Sequence, residues 1–324
     1  MRRLLLLLLC CLGSAQAQTL CVFSLTGSNG DLWEVMQDFR VSALAQDTQL
    51  TLRALTDERV ASEELKGGLC DGLFMTGIRA RQFVPFAGSI DAIGGLDSYA
   101  ALRTLINLLA DPRLAPRLRH GAYEVAGTLP IGAAYLFIND RRINSVEKVA
   151  GHKMAVFSND RAQLLMANRI GLSPVPSDVS NFAQKFNNGM VDLIAAPAVA
   201  YMPLELYKGI GTKGVVLKLP VAQLTMQLVL RHDKFSANFM AWSRRYFADQ
   251  FEPAMQVIRQ AESRMLFFFP PPDKDRERYQ QMLQDSRSFL IQSGVYDKQM
   301  MTLMKKVRCA LTPSHAECAN GSPW

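Results

Sequence analysis

The sequence predicts an α/β protein built from two hinged lobes and completed by C-terminal helices. Apolar runs of strand length alternate with helix-like segments through the first two thirds of the chain, which favours a mostly parallel sheet. One helix-to-strand unit also occurs twice, at residues 64–75 and 185–196. Two similar lobes that face each other across a cleft are the plan of a hinged binding protein. Chance similarity between two ordinary connections is the alternative.

The repeated unit contains a helix end, a glycine, an aspartate and an apolar run. Glycine suits the left-handed conformation that ends many helices. The aspartates are Asp71 and Asp192, and the apolar residues after each of them predict a parallel strand that is buried on both faces. The sequence therefore predicts that these two strands occupy equivalent places in the two lobes.

The first lobe is predicted to alternate strands and helices. Its strands lie at residues 20–25, 49–54 and 70–75, and its helices at 31–45, 57–66 and 97–109. Thr56 is the expected N-cap of the second helix, because its hydroxyl can accept a hydrogen bond from a free backbone N–H. The turn at residues 26–30 joins the first strand to the first helix.

The second lobe is predicted to repeat this alternation. Its strands lie at residues 131–138, 153–157 and 191–196, and its helices at 143–149, from 158–161 onward, and from an N-cap at Ser177 to Gly189. Strands at 215–219 and 223–230 return to the first lobe, and the chain is helical from Ser236. Lobe I thus comprises residues 18–130 and 220–324, and lobe II comprises residues 131–219.

Residues 1–17 are predicted to be a secretory signal peptide, cleaved after Ala17. A basic start at residues 2–3 precedes an unbroken apolar run at residues 4–12, and Ala15-Gln16-Ala17 is a small-x-small cleavage signal. The run is too short to span a bilayer. Cys10 and Cys11 leave a lipoprotein as the alternative. The leader predicts a periplasmic location.

Four cysteines remain after cleavage, and an even number in a secreted chain indicates disulfides, with three possible connectivities. Cys21 opens the first strand and Cys70 opens the third, so neighbouring parallel strands would bring them together. Cys309 and Cys318 flank a short tail. We predict the pairs Cys21–Cys70 and Cys309–Cys318. A zinc site is disfavoured, because no C-x-x-C motif or nearby histidine pair is present.

Composition and motifs argue against several functions. Removing Arg2 and Arg3 lowers the formal net charge from +7 to +5, spread without a basic block, so no nucleic-acid partner is indicated. No later stretch approaches 18 uninterrupted apolar residues, so the mature chain has no predicted membrane span. Residues 209–214 match G-x-G-x-x-G, but a helix-like segment precedes them and a strand follows, which is the reverse of a dinucleotide site.

Positive evidence for catalysis is missing. The four histidines do not pair at i, i+4, and no G-x-S-x-G motif is present. We therefore predict no enzyme, no cofactor and no metal, with a hydrolase as the disfavoured catalytic alternative.

Polar residues that follow strands are the candidate ligand contacts, because ligands of open α/β sheets bind outside the carboxyl ends of the strands. The candidates are Ser28, Asn29, Thr76, Arg79, Ser158, Asn159 and Arg161. The segment 158–161 also begins a helix, where free N–H groups favour anions. Ordinary helix capping is the alternative for each residue taken alone.

Several segments resemble the solute receptors of TRAP transporters, the DctP-like family. The resemblance rests on residues 144–154, which read as a short helix, a glycine, a lysine and a strand, and on residues 171–177, 186–192 and Pro197. It covers residues 131–234 and is weaker at residues 65–76. The whole chain is also similar to a narrower group of periplasmic solute-binding proteins of the AdeT type, some of which carry an RND-type permease label.

The resemblance implies a two-lobed fold like that of periplasmic binding proteins, closing on a small solute. Two departures put the usual organic-acid ligand in doubt. Where the family has an arginine that binds the ligand carboxylate this chain has Ala155, and where it has an asparagine this chain has Ala196. Alanine cannot replace a bidentate guanidinium. Either Arg79 or Arg161 supplies the cation from another direction, or the ligand is neutral or apolar.

A neutral or apolar ligand would be held by stacking on aromatic side chains. The candidates for this role are Tyr135, Phe157 and Tyr201.

The sequence therefore predicts a periplasmic solute-binding protein, which the resemblance connects with an inner-membrane permease as a partner. Its expected mechanism is closure of the two lobes about hinge strands. The alternative is a periplasmic adaptor that retains the fold but binds a protein or envelope partner. Loss of the family's arginine and asparagine favours this alternative.

Overall fold

The computed structural model describes residues 17–314 and 316–319. Residues 1–16, nearly all of the predicted leader, lie outside the described part of the chain. The strands are β1 (Gln18–Phe23), β2 (Leu50–Leu55), β3 (Gly72–Thr76), β4 (Arg119–His120), β5 (Tyr123–Ile138), β6 (Lys153–Phe157), β7 (Ser173–Ser177), β8 (Leu193–Pro197), β9 (Val215–Arg231) and β10 (Phe268–Phe269).

Helices cover the sheet. They are α1 (Asp31–Ala43), α2 (Glu58–Gly67), α3 (Gly77–Ala80), α4 (Pro85–Gly88), α5 (Tyr99–Leu109), α6 (Arg161–Arg169), α7 (Phe182–Asn187), α8 (Leu206–Ile210), α9 (Ala237–Asp249), α10 (Phe251–Ser263), α11 (Asp273–Gln292), α12 (Lys298–Leu311) and α13 (Ala316–Ala319). Successive residues of β3 enter different cores: Leu73 and Met75 pack into one apolar cluster and Phe74 packs into another. The helices therefore bury both faces of this strand, as the sequence predicts.

All ten described strands belong to one sheet with the order β2-β1-β3-β9-β5-β8-β6-β7, in which β10 adds to β9 and β4 to β5. Strands β1, β2 and β3 run parallel, as do β6, β7 and β8. The long strands β5 and β9 lie in the middle and run antiparallel to each other, and β9 is also antiparallel to β3 and β5 to β8. The sheet thus has two halves with mirrored strand order, one around β1–β3 and one around β6–β8.

The repeated aspartates occupy equivalent positions in these halves. The backbone N–H of Asp71 donates to the Thr19 carbonyl (2.8 Å), and its carboxylate accepts from the Thr19 N–H (2.9 Å). Asp192 makes the same two bonds with Lys153, at 2.8 and 2.9 Å. Each aspartate therefore ties the start of its strand to the start of the neighbouring parallel strand, and the predicted repeat is confirmed.

The two long strands connect the halves. Strand β9 is one continuous strand, whereas the sequence predicts two. It is continuous because it pairs with β5 along nearly its whole length. The largest shift in the register between β5 and β9 lies between Ala134, which pairs with Ala222, and Leu136, which pairs with Leu217. Pro220, which has no N–H to donate, lies in this break. The predicted lobe boundaries at residues 130/131 and 219/220 fall beside the break and stay a prediction.

Three local expectations were wrong. Asp57, not Thr56, caps α2, because its carboxylate accepts from the N–H groups of Arg59 and Val60. Ser177 ends strand β7, which pairs with β6 on one side; its prolines are tolerated because β7 is an edge strand. Only the single turn Glu147–Val149 of the predicted helix at residues 143–149 is helical.

Both predicted disulfides are confirmed. Cys21–Cys70 joins β1 to the residue before Asp71, with Cα atoms 5.8 Å apart. Cys309–Cys318 ties the short last helix to α12, with Cα atoms 5.6 Å apart.

The second disulfide lies next to a buried carboxylate, Glu317, which pairs with Arg287 on α11 and Arg308 on α12. All three side chains are at most 7% exposed. The two guanidinium groups also donate to the carbonyls of Gly94 and Gly95. Burial and the neighbouring Arg308 lower the pKa of Arg287 to about 10, and Glu317 acts in the opposite direction. Glu317 therefore balances two buried cations that hold one turn of the chain.

Replacing Glu317 by Gln is expected to lower the free energy of unfolding by about 3 kcal/mol or more, because two buried guanidinium groups then lack their shared counter-charge. Urea unfolding followed by circular dichroism measures the change. Glu277, an exposed glutamate on α11, provides the matched control, and E277Q should stay within about 0.5 kcal/mol of the wild type. Equal stability of the two variants would contradict the prediction.

Candidate functional site

A pocket of about 250 Å³ lies where the two halves of the sheet meet. It is lined by residues that follow β3 and β6 and by the turn between α11 and α12: Ile78, Arg79, Arg81, Gln82, Asn159, Arg161, Gly294 and Val295. The segments that follow β3 in one half and β6 in the other therefore supply three guanidinium groups and two amides to one space. Arg79, Asn159 and Arg161 are three of the predicted ligand contacts, and the structure brings them together.

Arg79 is held by a buried carboxylate. The Thr76 hydroxyl accepts from the Arg79 N–H (3.2 Å) and so begins the short helix α3. Glu58 accepts from the Thr76 N–H (2.7 Å) and from Arg79 Nε (3.4 Å). Burial raises the pKa of Glu58, while the bonds from Thr76 and Arg79 oppose that rise. Both partners of Glu58 are donors and favour its ionised form, which opposes the effect of burial on the carboxyl group.

Arg81 pairs with Asp160 across the two halves, with 3.0 Å between Nη1 and Oδ1. The side chains are 12% and 4% exposed. Burial on its own lowers the pKa of Arg81, but the attraction of Asp160, Tyr296 and Asp91 reverses the shift, and the net direction is upward. A second guanidinium nitrogen, Nη2, is buried and has no hydrogen-bond partner among the described residues.

Arg161 is exposed, and among residues 17–314 and 316–319 no carboxylate forms an ion pair with it. It is the first residue of α6, whose N-cap is Asp160; the Asp160 carboxylate accepts from the Ala162 N–H (3.0 Å). Asn159, also exposed, precedes the cap. Ser158 lies beside the pocket, and its hydroxyl donates to the Ser177 carbonyl (3.2 Å).

Other predicted contacts lie apart from the pocket lining. Ser28 and Asn29 are exposed in the turn between β1 and α1, and Thr76 is the cap of α3. Phe157 packs edge-on against Phe182, with ring centroids 5.4 Å apart.

Tyr135 and Tyr201 are buried in an apolar core of the second half. The Tyr135 hydroxyl donates to Glu262 (2.7 Å), and the Tyr201 hydroxyl accepts from the Leu266 N–H (3.3 Å). Burial and the interaction with Glu262 raise the pKa of Tyr135. These hydroxyls are therefore already used within the protein.

Ala155 and Ala196 belong to the same core, 4% and 1% exposed. They pack in a cluster with Tyr135, Phe182 and Tyr201. The positions at which the TRAP resemblance implies a cation and an amide are therefore occupied by close apolar packing. The polar groups of the pocket lie instead in and just after α3 and around the start of α6.

A buried aspartate lies behind the arginines, and sequence reasoning missed it together with Arg81, Gln82 and Asp160. Asp91 accepts from the Thr225 hydroxyl (2.6 Å) and the Thr225 N–H (3.1 Å). Burial raises the pKa of Asp91 to about 7, while Thr225 and Arg81 oppose the rise. The sequence carried a usable signal only for Asp160, which stands directly before a helix as an N-cap residue does.

The described residues contain one group of side chains with metal-ligand geometry: Cys21, Cys70 and Glu64. Both cysteines are in a disulfide, so they offer no thiolate to a metal. Among the described residues, no helix is long and apolar enough to cross a membrane.

The fold is that of the two-lobed periplasmic binding proteins. A TRAP periplasmic solute-binding protein from Desulfovibrio salexigens with bound orotic acid superimposes with a TM-score of 0.74 at 12% identity, over 92% of this chain and 100% of that one. A second, from Chromohalobacter salexigens with bound D-glucuronate, gives 0.72 at 15% identity, over 91% and 100%. A third, from Ralstonia eutropha with bound (S)-2-acetolactate, gives 0.73 at 11% identity, over 91% and 99%.

Sequence comparison is more specific. The family model "Solute-binding protein AdeT 1/2" matches residues 40–322. The probable solute-binding protein AdeT1 of Acinetobacter baumannii is 39% identical over 300 residues, 92% of this chain and 99% of its relative. AdeT2 of the same organism is 27% identical over 233 residues, 71% of this chain and 98% of AdeT2. The chain belongs to the AdeT 1/2 family of solute-binding proteins, which confirms the family that the sequence resembles.

The raised pKa of Asp91 predicts that stability depends on pH. The folded protein binds a proton at Asp91 more tightly than the unfolded chain does. Its stabilising contribution is therefore complete below about pH 4 and is lost as the pH rises to about 7, by at most about 1.4 kcal/mol per pH unit. Asp91→Asn removes the titration and can keep both bonds to Thr225, so we expect a flatter profile in urea unfolding between pH 4 and 7.

The matched control is Asp97→Asn, at an exposed aspartate of the same segment, which should keep the wild-type slope. A D91N profile as steep as that of D97N would show that Asp91 does not titrate in this range.

Proposed function

We propose that the protein captures a small anionic solute in the pocket between its two halves and releases it unchanged to a transport system. The observation that carries this proposal is the exposed guanidinium of Arg161, which lacks a carboxylate partner among the described residues and shares a pocket with two further arginines. Guanidinium groups bind carboxylates with directional, charge-assisted hydrogen bonds.

The charges around the pocket favour a single negative charge on the solute. Glu58 offsets Arg79 and Asp160 offsets Arg81, which leaves the charge of Arg161 for a ligand. The amides of Gln82 and Asn159 supply neutral donors and acceptors, and the pocket volume of about 250 Å³ suits a small molecule. The orotic acid, D-glucuronate and (S)-2-acetolactate bound by the structural neighbours each carry one carboxyl group.

The continuous strands β5 and β9 are the hinge in this proposal. They connect the halves, and their register breaks near Pro220, so a small rotation there changes few backbone hydrogen bonds. We propose lobes at residues 18–130 with 220–324, and at 131–219. The solute is bound and not transformed, since the pocket lining offers cations and amides and no nucleophile paired with a base.

The family supports a proposal for the location and the partner of the protein. The structural neighbours are periplasmic proteins, and residues 1–17 have the pattern of a cleaved signal peptide. We therefore propose export to the periplasm and delivery of the solute to an inner-membrane permease.

A second candidate is a periplasmic adaptor that keeps the fold and binds an envelope partner. The close apolar packing of Ala155 and Ala196 favours it, because the deep polar contacts implied by the TRAP resemblance are absent at these positions. The two candidates differ in whether the pocket is occupied by a small molecule.

Arg161→Gln should weaken binding of monocarboxylates at least tenfold, because the one unpaired cation of the pocket is lost. The ligand is identified by thermal unfolding of refolded, solute-free protein in the presence of neutral, singly and doubly charged metabolites. A ligand at 100 times its Kd adds about 2.7 kcal/mol to the free energy of unfolding. Calorimetry then compares the variants.

Arg142→Gln is the control, since Arg142 is highly exposed in the same half and, among the described residues, forms an ion pair only with the nearby Asp140. If R161Q binds the ligand with unchanged affinity, Arg161 is not a ligand contact. A panel with no hit, together with no small molecule released from the purified protein, would favour the adaptor.

A further inference from the structure

We propose that Asp160 serves as a built-in carboxylate that latches the two halves through Arg81, so that the protein closes without solute. This inference concerns the regulation of the proposed solute site and rests on that function. It arises from one ion pair, which joins the segment after β3 to the segment after β6.

Arg81 is fixed on its own side of the pocket. Its Nε donates to the Gly88 carbonyl (3.1 Å), and its guanidinium carbon lies 4.9 Å from the ring centroid of Tyr296. The Tyr296 hydroxyl in turn accepts from the Ile93 N–H (3.1 Å). A Cβ at Gly88 would lie 2.3 Å from the Arg81 Cα, so the backbone here is closely packed. The guanidinium is therefore presented to Asp160 in a fixed position.

Asp160 is fixed on the opposite side. The oxygen that faces Arg81, Oδ1, also accepts from the Ala162 N–H at the start of α6. Its side chain is 4% exposed, so water does not screen the pair strongly. Two pre-organised, oppositely charged groups thus meet across the pocket.

A solute that bridges two lobes closes a receptor because it binds the closed form better than the open form. In this chain a bridge already exists between two side chains. The closed form is consequently reached in the absence of solute, and Asp160 occupies one face of Arg81 that a solute carboxylate would otherwise use. The exposed guanidinium of Arg161 remains for the solute.

Removing one partner of the Arg81–Asp160 pair affects the closed and the open form differently. In the closed form the remaining charge stays buried without a counter-charge, whereas in the open form water solvates it. Asp160→Asn should therefore favour the open form. Because asparagine is also a good N-cap, this substitution retains the start of α6 and removes only the charge.

The test measures the distance between spin labels in the full mature chain without solute. The labels are placed at Leu44→Cys and Met190→Cys, two exposed positions in different halves (56% and 57% exposed). We expect one predominant distance in the wild type. D160N and R81Q should each raise the open-to-closed ratio at least tenfold, and the double variant should open no further than the singles.

Asp57→Asn is the matched control, because Asp57 is the exposed N-cap of α2 and, in the described part of the chain, forms no hydrogen bond or ion pair between the halves. The latch is wrong if D160N keeps the wild-type distance, if D57N opens the protein equally, or if the double variant is as closed as the wild type. Solute binding is measured in parallel and tests the proposed function separately. If D160N opens the protein but no ligand is found, only the proposed function is refuted. If a solute binds but D160N leaves the distance between the labels unchanged, only the latch is refuted.

Discussion

The antiparallel pairing of β5 with β9 is the constraint on which the rest of the structure depends. These strands of 16 and 17 residues are the centre of the sheet, and the β1–β3 and β6–β8 halves are added on either side of them. In the mirrored strand order β3 corresponds to β8 and β1 to β6, so β3 and β6 belong to opposite halves of the sheet. The segments that follow these strands share one pocket, and the register between the two long strands breaks near Pro220.

Three buried carboxylates each lie against one or two arginines. Glu58 supports Arg79, Asp160 supports Arg81, and Glu317 balances two arginines beneath the turn at Gly94. Each carboxylate is almost fully buried, so each is useful only while its partner is present. The turn at Gly94 also donates to the Val221 carbonyl (2.7 Å), beside the break in β9. The C-terminal helices thereby reach the region where the two halves connect.

The chain has the fold of the TRAP receptors, but its polar side chains lie at positions other than those that the resemblance implies. Alanines fill two positions where the resemblance implies ligand contacts, and they pack with buried tyrosines whose hydroxyls are already bonded. Cations and amides lie instead in and just after α3 and around the start of α6. Since glycine, aspartate and apolar spacing specify the sheet, the fold is retained when the contacts within the cleft change.

The sequence by itself determined the alternation of elements, the repeated glycine–aspartate unit, both disulfides and the family, because these depend on local spacing and on short contacts between neighbouring strands. It also indicated Arg79, Asn159 and Arg161, which follow strands. Only the tertiary structure decided that Arg81 meets Asp160, that β9 is continuous, and that Tyr135 and Tyr201 are core residues. These outcomes depend on which residues the long ladder brings together across large sequence separations, and local patterns do not encode that choice.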